Sequence, residues 1–321
     1  MKKALSTILA AILCVSFCLL AVSCANSGAN KKYSIGIVQI VQHEALDAAT
    51  EGFKKALTDK LGADNVTFDY QNASGDPANC TTIVNGFVAN KVDLIMANAT
   101  PSLQAAYNAT QTIPILGTSV TEYGVALGID NFNGTVGSNV SGTSDLAPLD
   151  EQAQMILDLF PETKTVGLLY CSAEANSLYQ VKVVEEYLAA KGVTAKRFSF
   201  SDSNDVSAVT TAAAAESDVI YIPTDNTAAA SAAIIGSILR NAKKPAIAGE
   251  EGICSNCGVA TLSISYYDLG YRTGEMAAKI LKGEEKIENM AIAYAPTTKK
   301  YNKTIADELG ITIPEGYAEI K

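Results

Sequence analysis

The sequence predicts an α/β protein of two doubly wound lobes joined by a multi-stranded hinge. Three observations carry this. Between Tyr33 and Val120, short apolar runs alternate with amphipathic ones in the order β, α, β, α, β, α, β. The same order recurs between Thr163 and Glu250. Beyond Gly258 two further strand–helix units remain that neither repeat accommodates, so they must be added to one or both sheets.

In the first repeat "YSIGIVQI" is a strand and "HEALDAATEGFKKALTDKL" a helix, whose period survives Gly52. "NVTFDYQNA", "DPANCTTIVNGFVAN", "VDLIMANA", "TPSLQAAYNAT" and "IPILGTSV" continue the alternation. The strands beginning at Tyr33, Val92 and Ile113 are near-continuous apolar runs, as parallel strands covered on both faces require. In the second repeat the strands are "TKTVGLLYCS", "TAKRFSFS", "SDVIYIPT" and "KPAIAGE". Between them lie the helices "ANSLYQVKVVEEYLAAKG", "NDVSAVTTAAAAE" and "DNTAAASAAIIGSILRNAK". The Gly- and Ser-rich stretch Asn133 to Pro148 is the expected crossing between lobes. The tail then supplies a strand and long helix in "GVATLSISYYDLGYRTGEMAAKILKGE", and another pair in "MAIAYAPTTKKYNKTIADELGI". Lobe 1 is accordingly expected at 33–143 plus 263–283, and lobe 2 at 144–262 plus 284–321. Several crossings side by side would make a hinge that bends in one direction.

The N-terminus bears on compartment. Lys2 and Lys3 precede an apolar run from Ala4 to Leu20 and then small residues, the build of a secretory signal over 1–23. The order Leu20, Ala21, Val22, Ser23, Cys24 resembles a bacterial lipobox, which makes Cys24 the candidate lipidated residue and 24–32 a tether; a plain secretory signal is the alternative. Loss of Lys2 and Lys3 takes the formal charge from -10 to -12, and an acidic surface repels phosphates, so nucleic acid is excluded as a partner. A remaining chain of about 300 residues suits two domains better than one core.

Four cysteines lie beyond the anchor: Cys80, Cys171, Cys254 and Cys257. The last two have C-x-x-C spacing, but no second pair completes a metal site, so a local disulfide or a free pair in a loop is expected, with no metal and no cofactor. His43 is the single histidine, which removes histidine-rich metal sites. No phosphate loop and no G-x-S-x-G elbow is present, and His43 with Ser177 is the one nucleophile–base pairing available, from opposite lobes.

Ligands of open parallel sheets sit beyond the carboxyl ends of the strands. Six polar stretches fall there, contributing Gln42 and His43, Thr100, Thr118 and Ser119, Glu174, Asn176, Ser177 and Tyr179, Asp225, Asn226 and Thr227, and Glu250 with Glu251. Each taken alone reads as a cap or solvated loop residue. Together they suit an amino acid: a carboxylate in a dry cleft seeks an ammonium group, and helix-start N–H groups with hydroxyls hold a carboxylate. Asp225 is the expected ammonium partner, with N-capping of its helix as the competing role. Tyr179, Tyr266 and Tyr267 are candidates to stack on a ring, or simply to pack the lobes.

The segments "IGIVQIVQHEALDAATEGFKKAL", "YQNASGDPAN", "VDLIMANATPSLQAA", "SGTSDLAP", "EANSLYQV", "YIPTDNT" and "SISYYDLGYRTGEMAAKILKG" occur in the order and at the spacing of a known family. On them the chain resembles the ABC transporter substrate-binding lipoproteins of the tryptophan and tyrosine type. The resemblance implies a type I periplasmic-binding-protein fold with a three-stranded hinge. It further implies a small amino-acid-like solute, aromatic by preference, trapped between lobes and delivered to ABC permease subunits by a lipid-anchored monomer. It places "PTDN" and "EANS" on the second-lobe wall, and "ATP" with "TS" on the first. "QHEAL" stands where relatives often carry "HP", which leaves the wall at Glu44 and Ala45 open. A lipoprotein presenting its solute to a membrane sensor is the alternative function.

Overall fold

A computed structural model describes residues 32–321. The leader, Cys24 and nearly all of the tether lie outside the described residues. Among the described residues no helix is long and apolar enough to cross a membrane.

The chain opens with β1 (Tyr33–Gln39), α1 (Glu44–Leu61), β2 (Val66–Asn72), α2 (Pro77–Asn90), β3 (Leu94–Asn98), α3 (Thr100–Ala109), β4 (Ile115–Val120), α4 (Tyr123–Leu127) and β5 (Val140–Ser144). Local chemistry sets several of these boundaries. Asp76 caps α2 through the Ala78 N–H with Pro77 in its first turn, and Lys91 ends it in the left-handed region. The second lobe follows with α5 (Leu149–Leu159), β6 (Thr165–Cys171), α6 (Ala175–Ala190), β7 (Thr194–Phe200), α7 (Val206–Glu216) and β8 (Val219–Ile222). It continues through α8 (Asn226–Ala230), α9 (Ala232–Asn241), β9 (Ala246–Ala248), α10 (Glu251–Cys257) and β10 (Ala260–Ser263). The tail holds α11 (Tyr266–Lys282), β11 (Ala293–Tyr294), β12 (Thr298–Tyr301), α12 (Lys303–Leu309) and β13 (Ala318–Glu319).

Two sheets result. The first runs β11-β5-β4-β3-β1-β2 and the second β13-β12-β10-β9-β8-β6-β7. All neighbours pair in parallel except β10 with β12. The chain therefore crosses between lobes three times, at 145–148, 264–265 and 295–297. Two crossings fall within three residues of Asp145 and Tyr266, whose side chains are joined by a 2.9 Å hydrogen bond from the tyrosine hydroxyl.

The structure differs from the sequence reading in four places. The stretch 287–294, assigned above to lobe 2, packs with lobe 1: Ile287 and Met290 join Phe53, Leu57 and Met96 in one core, and β11 pairs with β5. The Gly- and Ser-rich crossing contains β5 itself, a strand whose small residues lie fully buried. The single helix expected from Asp225 is two, α8 and α9, parted at Ser231, whose N–H is shared among the carbonyls of Thr227, Ala228 and Ala229. Finally α10 holds Cys254 and Cys257 on a helix rather than a loop, both as buried free thiols in the second-lobe core.

Candidate ligand-binding site

The carboxyl ends of the two sheets face one another. Between them lies a cavity of about 600 Å³, with Ile40, Val41 and Pro101 on the first-lobe side and Glu174, Asn226 and Thr227 on the second. That volume is in the usual range of small-molecule pockets. Beside it a smaller cavity of about 230 Å³ is lined by Gln42, His43 and Glu44 against Ala229, Ala233 and Glu250. The lobes meet at the boundary of the two, where His43 Nε2 stands 3.5 Å from Asn226 Oδ1. Burial holds the His43 pKa below its ordinary value, with Asn226, Glu174 and Asp47 opposing, so the ring is set to be neutral. Gln42 reaches no further than Asp47, at 3.3 Å, and stays on the rim.

The second-lobe carboxylates are already spoken for. Asp225 Oδ1 accepts from the Ala228 N–H at 2.8 Å, which is the N-cap of α8. Its Oδ2 accepts from the Cys171 N–H at 2.6 Å and the Ser177 hydroxyl at 2.7 Å. Asp225 thus has the capping role expected of it: its carboxylate ties β6, α6 and α8 together, and Ser177 serves that tie. The Ser177 proton being directed to Asp225, the pairing of Ser177 with His43 does not form either. Burial and the nearby charge of Glu174 push the Asp225 carboxyl up.

Glu174 occupies the start of α8. It accepts from the Asn226 and Thr227 N–H groups at 3.0 and 2.9 Å, from the Asn226 side-chain amide at 2.6 Å and from the Thr227 hydroxyl at 2.8 Å. The helix-start anion site foreseen for a ligand carboxylate is filled by the protein's own glutamate. Glu250 likewise caps α10 through the Gly252 and Ile253 N–H groups, and burial raises its pKa to about 7. Glu251 pairs with Lys300 at 2.5 Å on the second lobe. Asn176 donates to Glu174 and to the Thr224 carbonyl, leaving its buried Oδ1 without a partner.

The first-lobe strand ends are less committed. Thr100 opens α3, whose N-cap Ala99 supplies no side-chain hydrogen bond, and the buried Thr100 Oγ1 has no partner. Ser119 Oγ is buried and unpartnered too. Both positions are backed by backbone strain: Ala99 has φ 83° and ψ 161°, and Ser119 φ 54° inside an irregularity of the β4–β5 pairing. Such conformations cost on the order of 1–3 kcal/mol each and concentrate at functional sites. Thr118, by contrast, turns inward. Its hydroxyl lies 3.2 Å from Thr143, which in turn lies 2.8 Å from Thr273 on α11, so it belongs to the interior of lobe 1.

Two of the three aromatic candidates have contacts other than the cleft. Tyr179 packs with the second-lobe core and borders a shallow hollow beside Leu146 and Pro148 rather than the cleft. Tyr267 stacks on Tyr271 at 6.5 Å on the exposed side of α11. Tyr266 stands beside the second crossing, where its hydroxyl donates to Asp145 with Thr224 beside it. Asp145 and Thr224 were not among the sequence candidates. Both stand in segments already noted, "SGTSDLAP" and "PTDN", and each is one residue beyond a residue chosen or a boundary drawn.

Residues 34–319 match the ABC transporter substrate binding protein family. The chain belongs to that family. The binding protein is 38% identical over 296 residues to the tyrosine-binding protein of Clostridioides difficile strain R20291, covering 88% of this chain and 85% of that one. Its fold superimposes with a TM-score of 0.85 on a Streptococcus pneumoniae ABC domain in complex with L-Trp, at 32% identity over 90% of this chain and all of that one. Against a ligand-free, open substrate-binding protein from Clostridium difficile the TM-score is 0.68, at 39% identity over 90% of this chain and 99% of that one. The two lobes with parallel-rich sheets make this a type I periplasmic binding protein fold, as in the more distant myo-inositol-binding protein of Bacillus halodurans.

Proposed function

We propose that this binding protein captures an aromatic α-amino acid between its lobes and delivers it to the permease of an ABC importer outside the cytoplasm. One observation carries the ligand class. Two buried hydroxyls, Thr100 Oγ1 and Ser119 Oγ, stand without partners at adjacent strand ends beside strained backbone. They are donors suited to an α-carboxylate, and the apolar Ile40, Val41 and Pro101 of the cavity wall suit a ring. The names of two relatives, one tyrosine-binding and one crystallised with L-Trp, support the aromatic preference. So does shape: at equal coverage the molecule follows the L-Trp complex more closely than the open protein, although it is nearer to the latter in sequence. Closed lobes joined by His43 and Asn226 account for that order.

The test is a thermal-shift screen of the purified domain against the common amino acids, followed by titration calorimetry. A binder raises the melting temperature as RT ln(1 + [L]/Kd) without being consumed. Tyrosine or tryptophan should give the largest shift, and no shift with any amino acid would overturn the reading.

The same proposal includes the removed leader 1–23 and lipidated Cys24. Stable membrane attachment needs two acyl chains or more. Cys24→Ala should move the protein from the membrane fraction to the soluble one, and unchanged attachment would count against the anchor.

A further inference from the structure

Four carboxylates lie buried just beyond the carboxyl ends of β5, β6, β8 and β9: Asp145, Glu174, Asp225 and Glu250, at 4, 6, 2 and 2% exposure. None of them takes part in an ion pair among the described residues, whose salt bridges all lie elsewhere. Their oxygens separate them. Both oxygens of Glu174, of Asp225 and of Glu250 accept hydrogen bonds from protein donors. Asp145 differs, since Oδ2 accepts from Tyr266 at 2.9 Å while the buried Oδ1 has no partner.

A buried carboxylate oxygen without a donor is unfavourable unless something supplies one. Asp145 is held in place by two first-lobe groups, one of which touches the second lobe. Its N–H donates to the Val120 carbonyl at 3.2 Å, one residue beyond Ser119, and its partner Tyr266 lies against Thr224, whose carbonyl takes the Asn176 amide. Four of the unpartnered buried atoms stand at or just beyond strand ends or at the start of the helices that follow them. Thr100 and Ser119 offer donors, and Asp145 Oδ1 and Asn176 Oδ1 offer acceptors. A zwitterion needs such a division.

We infer that Asp145 is the counter-ion for the ligand's α-ammonium group, with Asn176 Oδ1 as a second acceptor. This rests on the amino-acid reading above and deepens it. The α-ammonium bridges the hinge end of the cleft while the carboxylate takes Thr100 and Ser119. Burial raises the Asp145 pKa to about 6, with Tyr266, Thr121 and its own amide opposing, so a neighbouring cation would relieve the cost of its buried charge.

The experiment compares L-tryptophan with indole-3-propionate, the same molecule without its amino group, by calorimetry on wild-type protein and Asp145→Asn. For wild type, L-tryptophan should bind about 100-fold or more tightly than the des-amino acid. Asp145→Asn should lose about 100-fold for L-tryptophan yet bind indole-3-propionate as well as wild type or better, because no uncompensated charge is left behind. Equal loss for both ligands would make Asp145 a structural part of the hinge and overturn the inference. So would unchanged L-tryptophan affinity in the variant. Should Asp145→Asn fail to fold, the wild-type ratio decides, and equal affinity for the two ligands overturns the inference by itself. Silence of wild type toward every amino acid, tryptophan included, removes the underlying reading and the inference with it.

Discussion

Asp225 and Asp145 are buried carboxylates a lobe apart, and what distinguishes them is how many lone pairs the protein itself has filled. At Asp225 three donors converge, so Asp225→Asn turns its amide NH₂ toward the Cys171 N–H and leaves a buried donor unsatisfied. The variant should lose about 1–3 kcal/mol in urea denaturation while binding its amino acid nearly as wild type does. A large loss of affinity in the folded variant would restore Asp225 to the site. The raised groups also set a pH dependence for the ligand-free protein. Asp145, Glu250 and Asp225 have folded pKa values above their unfolded ones, so the folded state holds their protons more tightly and stability falls as pH rises toward about 7. His43, lowered by burial, works the other way over part of that range. Three groups against one predict a lower melting temperature at about pH 8 than at about pH 5, measured by calorimetry without ligand. The helix cap at Asp225 was legible in the sequence, but not that Ser177 and Cys171 arrive from elsewhere to fill its second oxygen. The polar clusters at strand ends were legible as a group; which members face solute was not, since that depends on partners far away in the chain.

At the scale of elements, the alternating β and α units follow directly from apolar periodicity, and their bounds shift by only a few residues. Departures occur where tertiary contacts override local preference. The alanine-rich run from Asn226 has ample helix propensity, yet Ser231 parts it because α8 is held at its start by Glu174 and Asp225 while α9 packs against the thiol-bearing α10. The helices α1 and α11 pack backbone to backbone. A Cβ placed at Gly270 would stand 1.9 Å from the Ala49 carbonyl, and one at Gly52 would stand 2.1 Å from that of Tyr267. The Gly52 that weakens α1 as an isolated helix is what lets it approach its neighbour. Gly270→Ala should force the pair apart and destabilise the protein by about 1–3 kcal/mol or more in urea, with little change at exposed Tyr267→Ala. Equal stability of Gly270→Ala and wild type would show that the helices separate freely.

For the whole molecule, closure is the central expectation. Three crossing segments connect the lobes, and the Asp145–Tyr266 hydrogen bond joins residues beside two of them. A ligand held by both walls favours the closed arrangement by its differential affinity. Small-angle scattering should show a smaller radius of gyration with saturating amino acid than without, and superimposable profiles would argue against hinge closure. Two lobes were readable from the repeated order of elements. The return of 287–294 to the first lobe was not, because β11 is two residues long and its short apolar stretch fits either sheet.

That return has a consequence for how the protein comes to be folded. The first sheet is finished by β11 and its core is closed by Met276, Ala277 and Met290, all contributed after the second-lobe strands β6 to β10 have been written. A chain emerging amino-terminus first, from a ribosome or through an export channel, thus carries an unfinished first lobe until nearly its last residues are free. Its earliest strands wait with apolar faces uncovered, so the interval before completion is when the chain is most open to aggregation or to a holding chaperone. A chain stopped at Ser263 should accordingly fail to give a cooperative unfolding transition.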